Sequence, residues 1–409
     1  MTHTLPASAA PTRPTRPPPW RDVRILRIIA QVVAVVAVAG TVRWLFGNLV
    51  DNLNAVGIST KFDFLDSPAR FQVRDSGFDP NSSIKNLFWQ GVRNTAAAAF
   101  VGIVLATILG TLVGIGRLSS NWIVRKLATI YVETLRNIPP LVIIIFFGFA
   151  LFTFGPFPLF NPANPPGTIR FPGTDSNLLI YSKSRLGFPS IATDDGGGLF
   201  WILMVGALLV AAAVWVWRTR VNVATGEPHR RVLFSFLTLV GLGIVIYVAL
   251  GGPVSPSFPK VSESGRLIEG GLATNDGYVS LTLALALYTG SHIAEIVRGS
   301  ILAVPKGQNE AANALALNGF QRYRFVVLPQ AARIAVPPTI NQYLNLTKNT
   351  SLAVAVAYPD MTQLARTAIG NDQPAPQMIL ILMAIYLSFS LFISLVLNIV
   401  NRRFQLAGR

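Results

Sequence analysis

Cysteine is absent from the 409 residues, which excludes a disulfide framework and any zinc or redox site built on thiolates. Histidine is nearly absent. His3, His229 and His292 are scattered, and neither an HExxH pair nor a Ser–His–Asp set is present. His292 stands alone in an apolar run, where a polar group satisfied inside a bundle is expected rather than a metal ligand. The chain contains no GxxxxGK[ST] phosphate loop, so it does not bind ATP in that way. Gly114-Ile115-Gly116 and Gly241-Leu242-Gly243 lie in apolar stretches and lack the strand–turn–helix setting of a dinucleotide site. Enzymatic chemistry therefore has no visible home, and no cofactor is expected on this chain. Charge is also scarce: 13% of residues are Asp, Glu, Lys or Arg, against about 25% in a soluble domain.

What fills the chain instead is apolar. Hydrophobic residues make up 51%, and the mean hydropathy is +0.49. About 20 apolar residues span a bilayer. Runs of that kind lie near 26–46, 94–116, 127–155, 199–217, 232–252, 277–297, 336–358 and 377–400. They predict an all-α integral membrane protein with about eight transmembrane helices. Ala37-Val38-Ala39 resembles a signal-peptide cleavage site, but the run continues through Trp44, Leu45 and Phe46, as a retained span would. Small residues recur in AAAAFVGIVLATILGTLVGIG and allow membrane helices to approach closely. Pro139-Pro140 breaks the third span, a break tolerated where protein or a cavity covers the freed backbone.

The formal charge of +16 reads as topology, not as nucleic-acid binding. With the N-terminus inside, the inner segments hold Arg13, Arg16, Arg21, Arg24 and Arg27; Arg117, Arg125 and Lys126; Arg218, Arg220, Arg230 and Arg231; Arg298, Lys306, Arg322, Arg324 and Arg333; and Arg402, Arg403 and Arg409. These are 20 cations, against 11 outside, while the acids run the other way. That is the positive-inside bias. It predicts cytosolic termini and an external 156–198. The external segments 47–93 and 156–198 are polar, and FNPANPPGTIRFPGTDSN and TDDGGG read as turns rather than helix. The Pro-, Thr- and Arg-rich 1–25 reads as a flexible tail.

The segment RGSILAVPKGQNEAANALALNGFQRYRFVVLPQAARIAVPP, 298–338, lies on the inner side. Pro305 and Gly307 are expected to stop the preceding span. Gln308–Leu317 is rich in Ala, the strongest helix former, and predicts a short helix. Gly319 is expected to supply a turn of positive φ. Gln321–Val327 predicts a second short helix that Pro329 breaks. By composition alone, an interfacial hairpin that merely connects spans would also fit.

The order of residues in this loop resembles the EAA loop of ABC importer membrane subunits: EAA, three residues, Gly, nine residues, then Ile-x-Leu-Pro. Glu310, Ala311 and Ala312 match its start, and Val326, Leu328 and Pro329 its end. The family glycine falls on Ala316, a departure that leaves Gly319 as the candidate for the turn. AEIVRG, VPKGQNEAA, VVLPQAAR and LTKNTSLA, together with NTAAAAFVGIVLATILGTLVGIGRLSS and YVETLRNIPPLV, are similar to the polar amino-acid importer branch. That branch more often has Arg-Gly-Thr-Pro where this chain has Arg136-Asn137-Ile138-Pro139. The match covers about 94–155 and 276–400, a five-span permease core. The segment 26–93 and the insert 156–275, with its extra helical hairpin, are additions. This layout resembles the long permease subunit of general L-amino-acid importers.

The resemblance implies a division into a cytosolic tail 1–25, an added span and periplasmic segment 26–93, core 94–155, insert 156–275, core 276–400 with coupling loop 298–338, and a cytosolic tail 401–409. It further implies a multi-pass protein of the bacterial inner membrane that translocates L-amino acids. The expected partners are two ABC ATPase subunits, a second permease subunit (a relative or itself), a periplasmic amino-acid-binding protein and membrane lipid. ATP and Mg would be bound by the ATPases, and the coupling residues would be Glu310, Ala311, Ala312, Ala316, Gly319, Leu328 and Pro329. The rival reading is a secondary transporter or channel independent of ATP, which has no need of a coupling loop.

Charged groups within the spans stand apart from this resemblance, because they are costly in a membrane and default to function. Lys348, followed by Asn349, Thr350 and Ser351, falls near the middle of the seventh run. These residues, with Arg136 and Glu133, are candidates for the substrate pathway. Glu133 and Arg136 are spaced i,i+3 and can pair with each other, as can Glu295 and Arg298. A Lys348–Glu133 pair between helices is the structural alternative.

Overall fold

The computed structural model describes residues 18, 20–57, 61–73, 78–155, 158, 165–194, 197–226, 230–264 and 268–404. Most of the expected N-terminal tail, His3, His229, parts of both turn-rich motifs and the last five residues lie outside that range. Helix α1, Val23–Ala55, runs on past Ala39 without a break. It belongs to one compact unit, Met1–Leu65 with Pro374–Gln377; the second unit is Asp66–Gln373 with Met378–Arg409.

In the second unit α2 is Ile84–Gly116, started by Ser83, whose side chain accepts from the Asn86 N–H. A short loop leads to α3, Trp122–Arg136, capped by Asn121. The Pro139-Pro140 break is present: α4, Pro140–Phe147, begins with proline in its first turn, and the axis turns by 106° between the two segments. A π-helical turn, Gly148–Thr153, follows.

The insert is not made of turns alone. Strands β1 (Gly167–Arg170), β2 (Asn177–Tyr181), β3 (Arg185–Phe188) and β4 (Ser190–Thr193) precede a helical hairpin, α5 (Gly197–Thr225) and α6 (Arg231–Ala249). Strands β5 (Val254–Ser257), β6 (Lys260–Val261), β7 (Ile268–Glu269) and β8 (Leu272–Asn275) follow it. The main sheet has the order β1-β2-β3-β8, while β4 pairs with β5 and β6 with β7, all antiparallel. Ile180 on one face of the sheet is fully buried. Its neighbour Gly187 faces Pro259 and Ile268 so closely that a Cβ there would lie 2.9 Å from Pro259. Strand β8 ends at Asn275, which caps the next helix by accepting from the Tyr278 N–H. A small sheet thus adds to an otherwise helical protein.

Helix α7, Asp276–Leu302, is the centre of the bundle. It packs most extensively on α2, where Gly102, Ala106, Gly110 and Gly114 recur at intervals of four on the buried side. A Cβ at Gly110 would meet Ile293 at 2.6 Å, and one at Gly114 the Ala294 carbonyl at 2.7 Å. The seam is therefore set by backbone proximity, the packing that small residues permit in membranes. Ala98, Ala106, Ile144, Leu281, Leu285, Ile293, Leu346 and Ala353 close the core around it.

After α7 come α8 (Lys306–Ala314) and α9 (Gly319–Arg322), a π-helical turn (Tyr323–Val327) and α10 (Leu328–Asn349). The expected span 336–358 is not one helix. It is divided between α10, with Pro337 and Pro338 inside it, and a 3-10 segment, Thr350–Val356. Helices α11 (Met361–Ile369) and α12 (Ala375–Phe404) end the chain. Among the described residues, six helices are long and apolar enough to cross a membrane: α1 from Ile25, α2, α5, α6, α7 and α12 to Ile399; the bent α3–α4 pair makes up to seven. Helix α10 carries Arg333 and Lys348 within its length and is not among them.

Candidate functional site

The loop between α7 and α10 is a projecting pair of short helices. Pro305 precedes the first turn of α8, where its missing N–H costs nothing. Along α8 only Ala312 is buried, at 2% exposure; Glu310 and Ala311 are exposed. The inward-facing Ala312 seats the helix, and the outer surface offers small side chains beside one carboxylate. Asn318 and Gln321 form a reciprocal capping box that fixes the start of α9. Arg322 donates to Asn313 Oδ1 at 3.0 Å, tying α9 back to α8.

The turn between these helices corrects the sequence expectation. Ala316, which occupies the family's glycine position, has φ +54°. Gly319 is the first residue of α9 and is not among the positive-φ glycines. The Asn318 cap fixes that end of the turn and leaves the left-handed step to Ala316. Pro329 does not break a helix either. It lies in the first turn of α10, after the π-helical turn has shifted the hydrogen-bond register. Leu328 and Pro329 are exposed.

The candidate pathway residues separate into two places. Glu133 and Arg136 do not pair with each other among the described residues. Glu133 faces Arg117 at 3.7 Å, and Arg136 lies 3.9 Å from Glu295. Both lie on α3, and each side chain turns to a partner from another helix instead. Glu295 does pair with Arg298, at 2.8 Å, as its spacing predicts, and also accepts from Arg117. Beyond a cation at the end of α2, nothing in the amino-acid order pointed to the Arg117 contact. One turn before Glu295, His292 stacks edge-on against Tyr288 with ring centroids 4.8 Å apart. Its Nε2 is shielded and has no hydrogen-bond partner among the described residues, contrary to the expected satisfied histidine. No group of three metal-ligating side chains occurs among the described residues.

Lys348 is exposed and has no ion pair among the described residues, so the Lys348–Glu133 alternative is not formed. Thr350 is buried and donates to the Thr347 carbonyl at 2.7 Å; Asn349 and Ser351 are half-buried at the junction with the 3-10 segment. Below them a largely apolar cavity of about 440 Å³ lies between α2, α7, α10 and α12, where Thr107 and Tyr343 share a hydrogen bond of 2.8 Å.

Membrane-length helices around a projecting two-helix loop define a multi-pass membrane protein. The profile of the family described as "Binding-protein-dependent transport system inner membrane component" matches residues 231–406. Over 373 residues the chain is 37% identical to the general L-amino acid transport system permease protein AapQ of Rhizobium johnstonii, covering 90% of each. It is 38% identical over 373 residues to the putative amino-acid ABC transporter permease protein YhdX of Escherichia coli, covering 90% of this chain and 92% of that one. Over 402 residues it is 32% identical to the glutamate/glutamine/aspartate/asparagine transport system permease protein BztB of Rhodobacter capsulatus, covering 91% of each. The chain belongs to this family, the membrane permeases of ABC importers. Membership separates it from secondary transporters and channels.

Proposed function

We propose that this chain is one permease subunit of an importer that moves L-amino acids across a bacterial inner membrane, driven by two partner ATPase subunits that bind ATP and Mg. A second permease subunit and a periplasmic amino-acid-binding protein complete the assembly, and both termini face the cytosol. The relatives' names support the substrate class. The observation that carries the coupling role is α8, held by buried Ala312 while Glu310 and Ala311 stay exposed. Small side chains allow close docking, and the carboxylate can pair with a partner's basic groups. Ala316 turns the chain, and Leu328 and Pro329 pass the motion into α10. The domain division given above is proposed on the same basis, with 298–338 as the coupling loop.

For the pathway we propose Arg136, Glu133, Lys348, Asn349, Thr350 and Ser351. Every amino acid carries a carboxylate, so a cation with free donors suits a broad substrate range. Arg136 is 41% exposed with only a distant carboxylate, and Lys348 is exposed without an ion pair among the described residues. The test is to purify the full chain with its co-expressed neighbours in detergent, identify the bound subunits, and measure labelled L-amino-acid uptake in proteoliposomes. ATPase subunits should co-purify, and uptake should require ATP. Uptake by the chain alone without ATP would overturn the reading.

A further inference from the structure

The α5–α6 hairpin carries arginines that none of these roles uses. The Arg218 guanidinium on α5 lies over the Phe234 ring of α6, 3.7 Å from its centroid, with Trp217 at 5.4 Å. Arg231 at the start of α6 crosses the other way: it lies 5.4 Å over the Trp215 ring and donates to Thr219 Oγ1 at 3.5 Å. Arg230 precedes it, exposed. A guanidinium stacked on a ring uses its face and keeps its edge N–H donors for a planar or tetrahedral acceptor. Arg218 Nε is such a donor; it is shielded from solvent and has no acceptor among the described residues. No carboxylate pairs with these three arginines among the described residues. Glu227, the one carboxylate in 218–231, lies outside them.

Snorkelling explains why a cation stands at the end of a span. It does not explain two guanidiniums laid on rings across the hairpin, or an Nε turned away from water. An anion would satisfy that donor. Its source follows from depth. Helices α5 and α6 are both long and apolar enough to cross a membrane, so their joined ends lie at the level of the headgroups. Trp215 and Trp217, 41% and 59% exposed, are at the same level, where tryptophan is enriched.

We propose that Arg218, Arg230 and Arg231 bind the phosphate of an anionic phospholipid, with Trp215 and Trp217 against its glycerol and upper acyl carbons. The site stands independently of the transport reading. Its test uses the full chain in nanodiscs of phosphatidylcholine, doped with equal amounts of brominated phosphatidylglycerol or brominated phosphatidylcholine. Bromine quenches nearby tryptophan, and the W215F/W217F variant isolates the signal from these two rings. Brominated phosphatidylglycerol should quench them in preference, by about fivefold for each arginine engaged. R218Q/R231Q should abolish the preference, and R218K/R231K, which keeps the charge but loses the stacked fork, should weaken it. If the glutamine variant fails to incorporate, the lysine variant and R230Q carry the test. Equal quenching by the two lipids, or an unchanged preference in the variants, would overturn the site. Displacement by excess inorganic phosphate would overturn the lipid as its ligand and make it a soluble-anion site.

Discussion

Arg117, at the end of α2, donates to Glu295 on α7 across 178 residues of chain. The same carboxylate holds Arg298 at 2.8 Å and lies 3.9 Å from Arg136 at the end of α3. One anion thus gathers three cations from three helices. Glu295→Gln should lower the stability of the full chain in detergent by about 2 kcal/mol, since charge-assisted hydrogen bonds are lost and three guanidiniums are left together. Arg117→Gln should cost less. The double variant should cost less than the sum, because both changes remove one shared interaction. Thermal unfolding reads all three, and strict additivity would show that the contacts are independent.

The α2–α7 seam makes a steric prediction. Gly110→Val places carbon where a Cβ already lies 2.6 Å from Ile293. Overpacking of this kind costs about 1–3 kcal/mol, and here the neighbour is part of a helix that cannot step aside. Gly206→Ala on α5 meets nothing within 4 Å and serves as the control. Monodisperse yield after size exclusion should fall for the first and not for the second.

Ala316 has a left-handed backbone, φ +54°. Such strain costs about 1–2 kcal/mol in a residue with a Cβ. Ala316→Gly should protect the α8–α9 loop from proteolysis, and Ala316→Val should expose it. Gly319→Ala should behave as wild type, because Gly319 meets nothing within 4 Å and has no positive φ. Loss of transport in Gly319→Ala with intact Ala316→Val would return the turn to Gly319.

Asp360 caps α11 from a buried position outside the six spanning helices; its carboxylate accepts from the Gln363 N–H at 2.8 Å and the Tyr386 hydroxyl at 3.1 Å. Burial pushes its pKa up to about 6, against the pull of those hydrogen bonds. The folded protein therefore holds this proton more tightly than the unfolded chain. That contribution to stability is complete below the unfolded carboxylate range near 4 and is lost as pH rises through about 6. Asp360→Asn keeps a good cap and should flatten the pH dependence, gaining on wild type between about pH 4 and 7. A melting temperature for the variant that falls as steeply as the wild type's over that interval would rule Asp360 out as the cause.

Sidedness can be read by labelling, because the chain has no cysteine of its own. Thr174→Cys in the insert should react with an impermeant thiol reagent from the periplasm. Leu315→Cys, 74% exposed beside α8, should react only after the membrane is opened. The reverse pattern would place the loop on the wrong side for an ATPase and end the coupling assignment.

Seven of the eight expected spans and the Pro139-Pro140 break were legible because hydropathy and proline act locally; the span expected at 336–358 was not, since it is divided between α10 and a 3-10 segment. The α8 helix was legible from its alanines and from the order of the EAA residues. What escaped was set by distance. Spacing allowed Glu133 to pair with Arg136 within α3, but Arg117 and Glu295, brought in from other helices, take those two groups instead. Between Glu295 and Arg298, within α7, the same spacing held. Ala316 escaped because glycine is the usual residue for a left-handed turn, and a glycine stood three positions away. The sheet escaped because its strands are short and one pairing, Arg185↔Asn275, is closed only after a whole helical hairpin has intervened.

That closure has a further meaning. Thr193 and Val254 are paired partners in the two-stranded β4–β5 ribbon, so α5 and α6 leave that ribbon and return to it at one point. The hairpin is a side branch rather than a link in the series from α4 to α7. The register of β3 against β8, and through Asn275 the first turn of α7, is held by pairings outside the branch. Residues 194–253 could thus be lengthened, exchanged or lost in a descendant while the bundle kept its wiring, and selection on the branch is free to act separately from selection on the core.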